Sequence, residues 1–98
     1  MSRFASFNVL AKQELSEAAD YYEAEAAGLG ARFLNAVEST VADLLEYPHS
    51  APVIRGTIRA RPVRHFPYRL LYRVLENEIR ILAVMHQKRR PFYWVGRS

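Results

Sequence analysis

The residues best equipped for chemistry crowd into the second half of the chain. Arg69, Arg73 and Arg80 stand on a stretch from Val63 to Gln87 that reads as two strands joined by a tight turn at Glu76-Asn77-Glu78. His86 closes the second strand, and the run Lys88-Arg89-Arg90 leads into Phe92, Tyr93 and Trp94. A guanidinium is planar and presents its donors in a fixed fork, which suits carboxylate or phosphate. Histidine titrates near neutral pH and can serve as acid or base. A strand-end histidine more often makes only a local hydrogen bond. Aromatic rings beside a basic run can stack on bases, although such a tail more often packs on its own sheet. His49 and His65 are scattered, there is no cysteine, and the three histidines make no metal set.

The hairpin that carries these residues has a definite pattern. Apolar and polar residues alternate on both sides of the turn, as in strands buried on one face. With a two-residue loop at Glu76-Asn77, Val74 opposes Ile79, Tyr72 opposes Ile81, Leu70 opposes Ala83 and Tyr68 opposes Met85. Opposed residues share a face, so this face is apolar and forms the core. The other face pairs Arg73 with Arg80, Leu71 with Leu82 and Arg69 with Val84, and brings His86 near Pro67. Arg73 opposite Arg80 is a like-charge pair, which destabilises unless an anion or an acidic partner compensates it. The expectation is a rigid hairpin with a cationic face.

Charge is distributed to match. Residues 1–47 hold three Lys/Arg against eight Asp/Glu, net −5, whereas residues 48–98 hold eleven against two, net +9. The asymmetry points to an anionic partner for the second half. Ninety-eight residues, half of them hydrophobic, make one domain spanning residues 1–98 with a modest core. No apolar run reaches the length of a membrane span and no signal-peptide pattern opens the chain, so a cytoplasmic protein is expected.

The first half must supply the support. Arg3 to Phe7 reads as an edge strand, and Asn8 fits a helix N-cap. From Val9 to about Ala27, Ala11, Leu15, Ala18, Ala19 and Tyr22 share one helical face, with Glu14, Glu17, Asp20 and Glu23 largely off it. Gly28-Leu29-Gly30 breaks the helix. A second helix runs from about Ala31 to Glu46, with Phe33, Val37, Val41 and Leu44 on its apolar face, and so short a connection makes an antiparallel hairpin. Tyr47-Pro48 ends it. His49 to Gly56 reads as a surface loop, and Thr57 to Arg61, with Arg59, as a short strand bounded by Pro62. The sum is an α+β fold in two layers: an N-terminal strand, a helix hairpin, three antiparallel strands and a short basic-aromatic tail.

ADYYE, GLGARFL, the P-x-x-A-P loop, FPYRLLYRV and IRILAVMHQKRRPFYW, in this order, resemble the RelE/ParE superfamily of toxins from bacterial type II toxin–antitoxin systems, of the plasmid-stabilisation type. The resemblance covers nearly the whole chain and implies a two-layer toxin neutralised by a cognate antitoxin. RelE-like members cut mRNA in the ribosomal A site; ParE-like members poison DNA gyrase. The HQKRRPFYW ending and long helix hairpin look closer to the ParE-like branch. On the nuclease side, the resemblance places Arg69 at a phosphate-contacting strand arginine, and His86 and Tyr93 where different members have a catalytic His or Tyr. The lysine pair that RelE uses on the preceding strand is absent, with Arg59 and Arg61 near its place, and no loop carboxylate lies between Pro48 and Gly56.

A nuclease needs a base, an acid and a phosphate clamp within reach of one phosphodiester. Arg69 and Arg73 could clamp, and His86 and Tyr93 could exchange protons. A gyrase poison needs only a surface, for which Arg59, Arg61, Arg73, Arg80, Lys88, Arg89, Arg90, Phe92 and Trp94 are the candidates toward target or antitoxin. A non-toxic nucleic-acid or protein adaptor of the same fold is the third class. None of the three requires a cofactor, a metal, a membrane or a small-molecule substrate.

Overall fold

Strand β1 (Phe4–Phe7) enters helix α1 (Val9–Glu25) through Asn8, whose Oδ1 accepts from the N–H groups of Leu10 at 2.8 Å and Ala11 at 3.4 Å. The coordinates are a computed structural model that describes residues 3–98. Helix α2 (Leu29–Glu46) follows after Gly28, whose φ of 86° is the left-handed turn that a side chain would resist. The two helices approach closely at Gly30, where an added Cβ would lie 2.6 Å from the carbonyl oxygen of Ala19. Gly30 of α2, against Ala19 of α1, thus sets the spacing of the helix pair at that end.

Four strands come next: β2 (Val53–Arg55), β3 (Ile58–Pro62), β4 (Tyr68–Val74) and β5 (Glu78–His86). The sheet order is β1-β5-β4-β3-β2, with β1 parallel to β5 and the other neighbours antiparallel. The α+β architecture expected from sequence is present, with one strand more than expected. Strand β2 lies in the segment read as loop. It turns into β3 through Gly56 and Thr57, with Gly56 at φ 56°, a two-residue hairpin loop that admits glycine.

The helix pair covers one face of the sheet. Phe33, Val37 and Leu44 meet Leu70, Tyr72, Ile79, Ile81 and Val84, all buried. Tyr22, Phe33, Phe66 and Tyr68 pack edge-on or tilted at one end of this core, with ring centroids 5.0–6.2 Å apart. The other face carries a second cluster, in which Ala60, Leu71, Ala83 and Met85 lie under Trp94. The tail, residues 87–98, runs over that face in successive turns. The second face is therefore apolar at its centre and cationic only around it.

The hairpin register agrees with expectation up to Tyr72 opposite Ile81, including Arg73 opposite Arg80. Beyond that point a β-bulge intervenes: Leu71 opposes Ala83, and Leu82 is left over. An extra residue in one strand reverses the inward–outward alternation after it. Leu70 consequently opposes Val84 rather than Ala83, Arg69 opposes Met85 rather than Val84, and Tyr68 opposes His86 rather than Met85. Val84 and His86 join the helix face, and Ala83 and Met85 pass to the tail face. Strict alternation missed this because Ile81 to Met85 is an unbroken apolar run that fits either face.

Leu70 is fully buried under the helices. Leu70→Ala should lower the free energy of unfolding by about 2–5 kcal/mol, the range for buried leucine truncation, measured by urea denaturation. A change below about 0.5 kcal/mol, typical of surface sites, would contradict the core assignment.

Candidate functional site

The bulge creates the site. Strand β1 stops pairing at Phe7 opposite Ile81, and the Asn8 N–H takes the Ile81 carbonyl at 2.8 Å. Past this point, among the described residues, the outer edge of β5 has no strand partner. The buried N–H of Val84 is taken instead by Glu14 Oε1 of α1, at 3.0 Å, and the Leu82 carbonyl by Arg97 Nη1, at 3.1 Å. Arg97 also donates to Glu14 at 2.9 and 3.2 Å, and the Tyr93 hydroxyl donates to Glu14 Oε2 at 2.7 Å. One carboxylate thus joins the first helix, the bulged strand and the tail. The Glu14 and Arg97 side chains retain only 17% and 12% of their exposure. Glu14 stands three residues after Ala11 and four before Ala18, at the margin of the buried stripe. That spacing was the available signal for it.

Beside this network a cleft of about 200 Å³ opens between α1 and the end of β5, lined by Glu14, Glu17, Tyr21, Tyr68, His86, Arg89 and Tyr93 among others. His86 is held in it by two contacts. Its Nδ1 accepts the Lys88 N–H at 3.0 Å, and its ring meets Tyr68 edge-on at 5.0 Å. With Nδ1 accepting, a neutral imidazole carries its proton on Nε2 and offers a donor, not a base. Arg89 lies over the Tyr93 ring at 4.2 Å. Burial, and then the adjoining Glu14 carboxylate, push the Tyr93 phenol well above its ordinary range, so Tyr93 stays protonated and cannot act as a base. Both Glu14 oxygens are already hydrogen-bonded.

The remaining candidates are dispersed. Arg69 opposes Met85 on the tail face and lines a separate depression with Phe66, Pro67 and Gln87. It is on the opposite face of the sheet from His86, so the expected clamp and the expected acid are not brought together. Arg59 Nη1 donates to the carbonyls of His49 and Ala51, at 3.2 and 2.6 Å. Arg61 donates to the Ser50 hydroxyl at 3.1 Å and pairs with Asp43 at 3.5 Å. These two arginines brace the loop after α2, as does the Tyr72 hydroxyl on the Pro48 carbonyl at 2.8 Å. Trp94 is 2% exposed, packed in the cluster under the tail. Lys88, Arg89, Arg90 and Phe92 are exposed together. Arg80 reaches the Ser6 hydroxyl at 3.1 Å, and Arg73 has its Nε buried without an acceptor. Among the described residues, no cluster of His, Cys, Asp or Glu could hold a metal ion, and no helix is long and apolar enough to cross a membrane.

A two-layer domain with a tail strapped over its sheet has relatives. The family model described as ParE toxin of type II toxin-antitoxin system, parDE, matches residues 6–91. The chain belongs to the ParE toxin family. No curated protein matches it. Among solved structures, it is similar to a chain described as the chromosomal ParDE TA system from P. aeruginosa. That match has 20% identity and a TM-score of 0.61, and covers 88% of this chain and 96% of that one. At such identity the likeness is one of fold, and it agrees with the helix hairpin over a mixed sheet.

Two consequences of the Glu14 network can be measured in this ParE-family toxin. Glu14→Gln should cost roughly 3 kcal/mol, since it leaves Arg97 half-buried without its counter-charge. The lone tryptophan, Trp94, should report loosening of the tail as a red-shifted emission. Unchanged stability and emission would show that the network carries no weight. The second consequence is alkaline. The folded state holds the Tyr93 proton more tightly than the unfolded chain, whose phenols ionise near about pH 10. The contribution is complete below that pH and is lost as pH rises toward the higher folded value. Tyr93→Phe should therefore flatten the decline of stability above about pH 10, measured by denaturation from pH 8 to 11. An identical decline in both proteins would remove Tyr93 from the account.

Proposed function

We propose that this ParE-family toxin acts by binding DNA gyrase in the cytoplasm, as a single domain, and that it cuts no RNA. The observation that carries the reading is the separation of Arg69 and His86 to opposite faces of the sheet by the bulge at Leu82. Arg69 and His86 leave the sheet on opposite faces, which counts against their acting on one phosphodiester. Tyr93 is locked as a donor to Glu14, and His86 Nδ1 is occupied by the Lys88 N–H. Binding needs only a surface, and the exposed Lys88, Arg89, Arg90 and Phe92 supply one on a tail fixed at Tyr93, Trp94 and Arg97. The membership of the chain in the ParE family supports the same target.

A cognate antitoxin is the second partner we propose. The solved neighbour is described as a ParDE system. A groove of about 340 Å³ bounded by Phe7, Leu15, Leu34, Val41 and Leu45 can receive apolar side chains, and the basic half of the chain can receive acidic ones.

The test is induction of variants without antitoxin, together with a gyrase supercoiling assay on purified protein. His86→Ala should leave growth inhibition and gyrase inhibition near the parental level. Arg89→Ala combined with Arg90→Ala should weaken both by at least about tenfold, as expected when two exposed charges leave an interface. Cleavage of a short mRNA on purified ribosomes, lost in His86→Ala, would overturn the binding account. The nuclease would then rest on Glu17, His86 and Arg89, which share the cleft.

A further inference from the structure

The tail face of the sheet carries positive charge that the chain compensates at Arg80 but not at Arg73. Arg73 and Arg80 are direct partners across β4 and β5, an arrangement that destabilises a sheet. Arg80 is drawn aside to the Ser6 hydroxyl at 3.1 Å, which itself donates to the Glu78 carboxylate, and to a Ser98 main-chain oxygen at 3.4 Å. Arg73 has no such relief. Its Nε is buried without an acceptor, and a buried donor left unpaired is costly. Nearby, Arg55 of β2 lies over the Phe92 ring at 5.3 Å. Among the described residues, neither Arg55 nor Arg73 makes an ion pair. Together with Thr57 they line an open cavity of about 550 Å³ between the β2–β3 turn and the end of the tail. Arg97 and Ser98 are also at its wall; Arg97 is committed to Glu14, the Ser98 main-chain oxygen accepts from Arg80, and among the described residues no aspartate or glutamate side chain lines the cavity.

We propose that this cavity binds a phosphate group, with Arg73 and Arg55 as its charged contacts and the Thr57 hydroxyl as a further donor. A carboxylate is planar and is filled by one guanidinium fork. Two guanidiniums from different strands, with a hydroxyl between elements, suit a tetrahedral oxyanion whose oxygens point in several directions. The phosphate would relieve the Arg73–Arg80 repulsion and offset the charge left on Arg73. The site is distinct from the cleft at His86 and adjoins the exposed tail surface only where Arg55 lies over Phe92; its phosphate response is read without gyrase, so its failure is distinguishable from that of the gyrase reading.

The test is thermal unfolding of the full chain in sodium phosphate against sodium chloride at equal ionic strength. Phosphate should raise Tm by about 5 °C when well above its dissociation constant, because it binds only the folded state. Arg73→Met keeps the apolar stem and removes the charge. It should raise Tm in chloride and abolish the phosphate response. Arg55→Gln alters an exposed residue and should fold normally; it should weaken phosphate binding about tenfold in isothermal titration. Adenosine monophosphate and a short single-stranded oligonucleotide separate the sources. Binding tighter than inorganic phosphate assigns the site to a phosphate carried on a nucleoside, and equal binding assigns it to free phosphate. A phosphate effect no larger than that of chloride overturns the proposal. So does a full response in both variants, and so does a Glu-rich peptide that stabilises the protein where phosphate does not.

Discussion

Beyond Ile81 strand β5 loses its neighbour, and its exposed backbone groups would face either solvent or an unwanted strand. The Glu14 carboxylate takes the Val84 N–H, and Arg97 takes the Leu82 carbonyl while pairing with that same carboxylate. Two side chains stand in for a missing strand. The arrangement depends on the bulge at Leu82, which aims the apolar side chain of Val84 at the helices and so lays the edge of β5 beside α1. It also depends on the tail, because Arg97 and Tyr93 reach Glu14 only if residues 87–98 fold back over the sheet. Helix, strand and tail are coupled through one charged group.

The coupling has a functional side. A tail tied to α1 holds its exposed basic residues at fixed positions, so less ordering is needed on binding a partner. The same tie removes Tyr93 from proton chemistry, and the bulge removes His86 from the face of Arg69. On the reading proposed here, the features that favour a binding surface are the same ones that count against a catalytic one. The helix hairpin contributes the other exposed region, an apolar groove on the far side from the tail cluster. On the proposed reading, antitoxin and gyrase would meet different surfaces of this one small domain.

Much of the fold was legible because its signals are local. The Asn8 cap, the glycine break at Gly28, the faces of Ala11 and Ala18 or Phe33 and Val37, and the turn at Glu76-Asn77 each follow from a few neighbouring residues. The register past Tyr72 was not, since a bulge inside an apolar run leaves no mark in the pattern of residue types. Strand β2 was missed for a different reason. Its three residues lie between prolines and a glycine, although Arg55-Gly56-Thr57-Ile58 carries the chemistry of a tight hairpin turn. The site suffered most, because its geometry depends on the bulge. His86 lies on the other face from the one expected, Arg59 and Arg61 hydrogen-bond the loop after α2, and Trp94 is buried. Glu14 was read as part of a polar helix flank, because its partners lie seventy or more residues away.

The central claim is that the Glu14 carboxylate closes the edge of β5, and the amide of Val84 reports on it directly. Native-state hydrogen exchange, followed residue by residue, should find the Val84 N–H protected nearly as well as the amides of Leu70 and Ile81. In Glu14→Ala that protection should fall by orders of magnitude while Leu70 and Ile81 keep theirs relative to global stability. If Val84 exchanges rapidly in the parental protein, or stays protected in Glu14→Ala, the carboxylate is not what holds helix, strand and tail together.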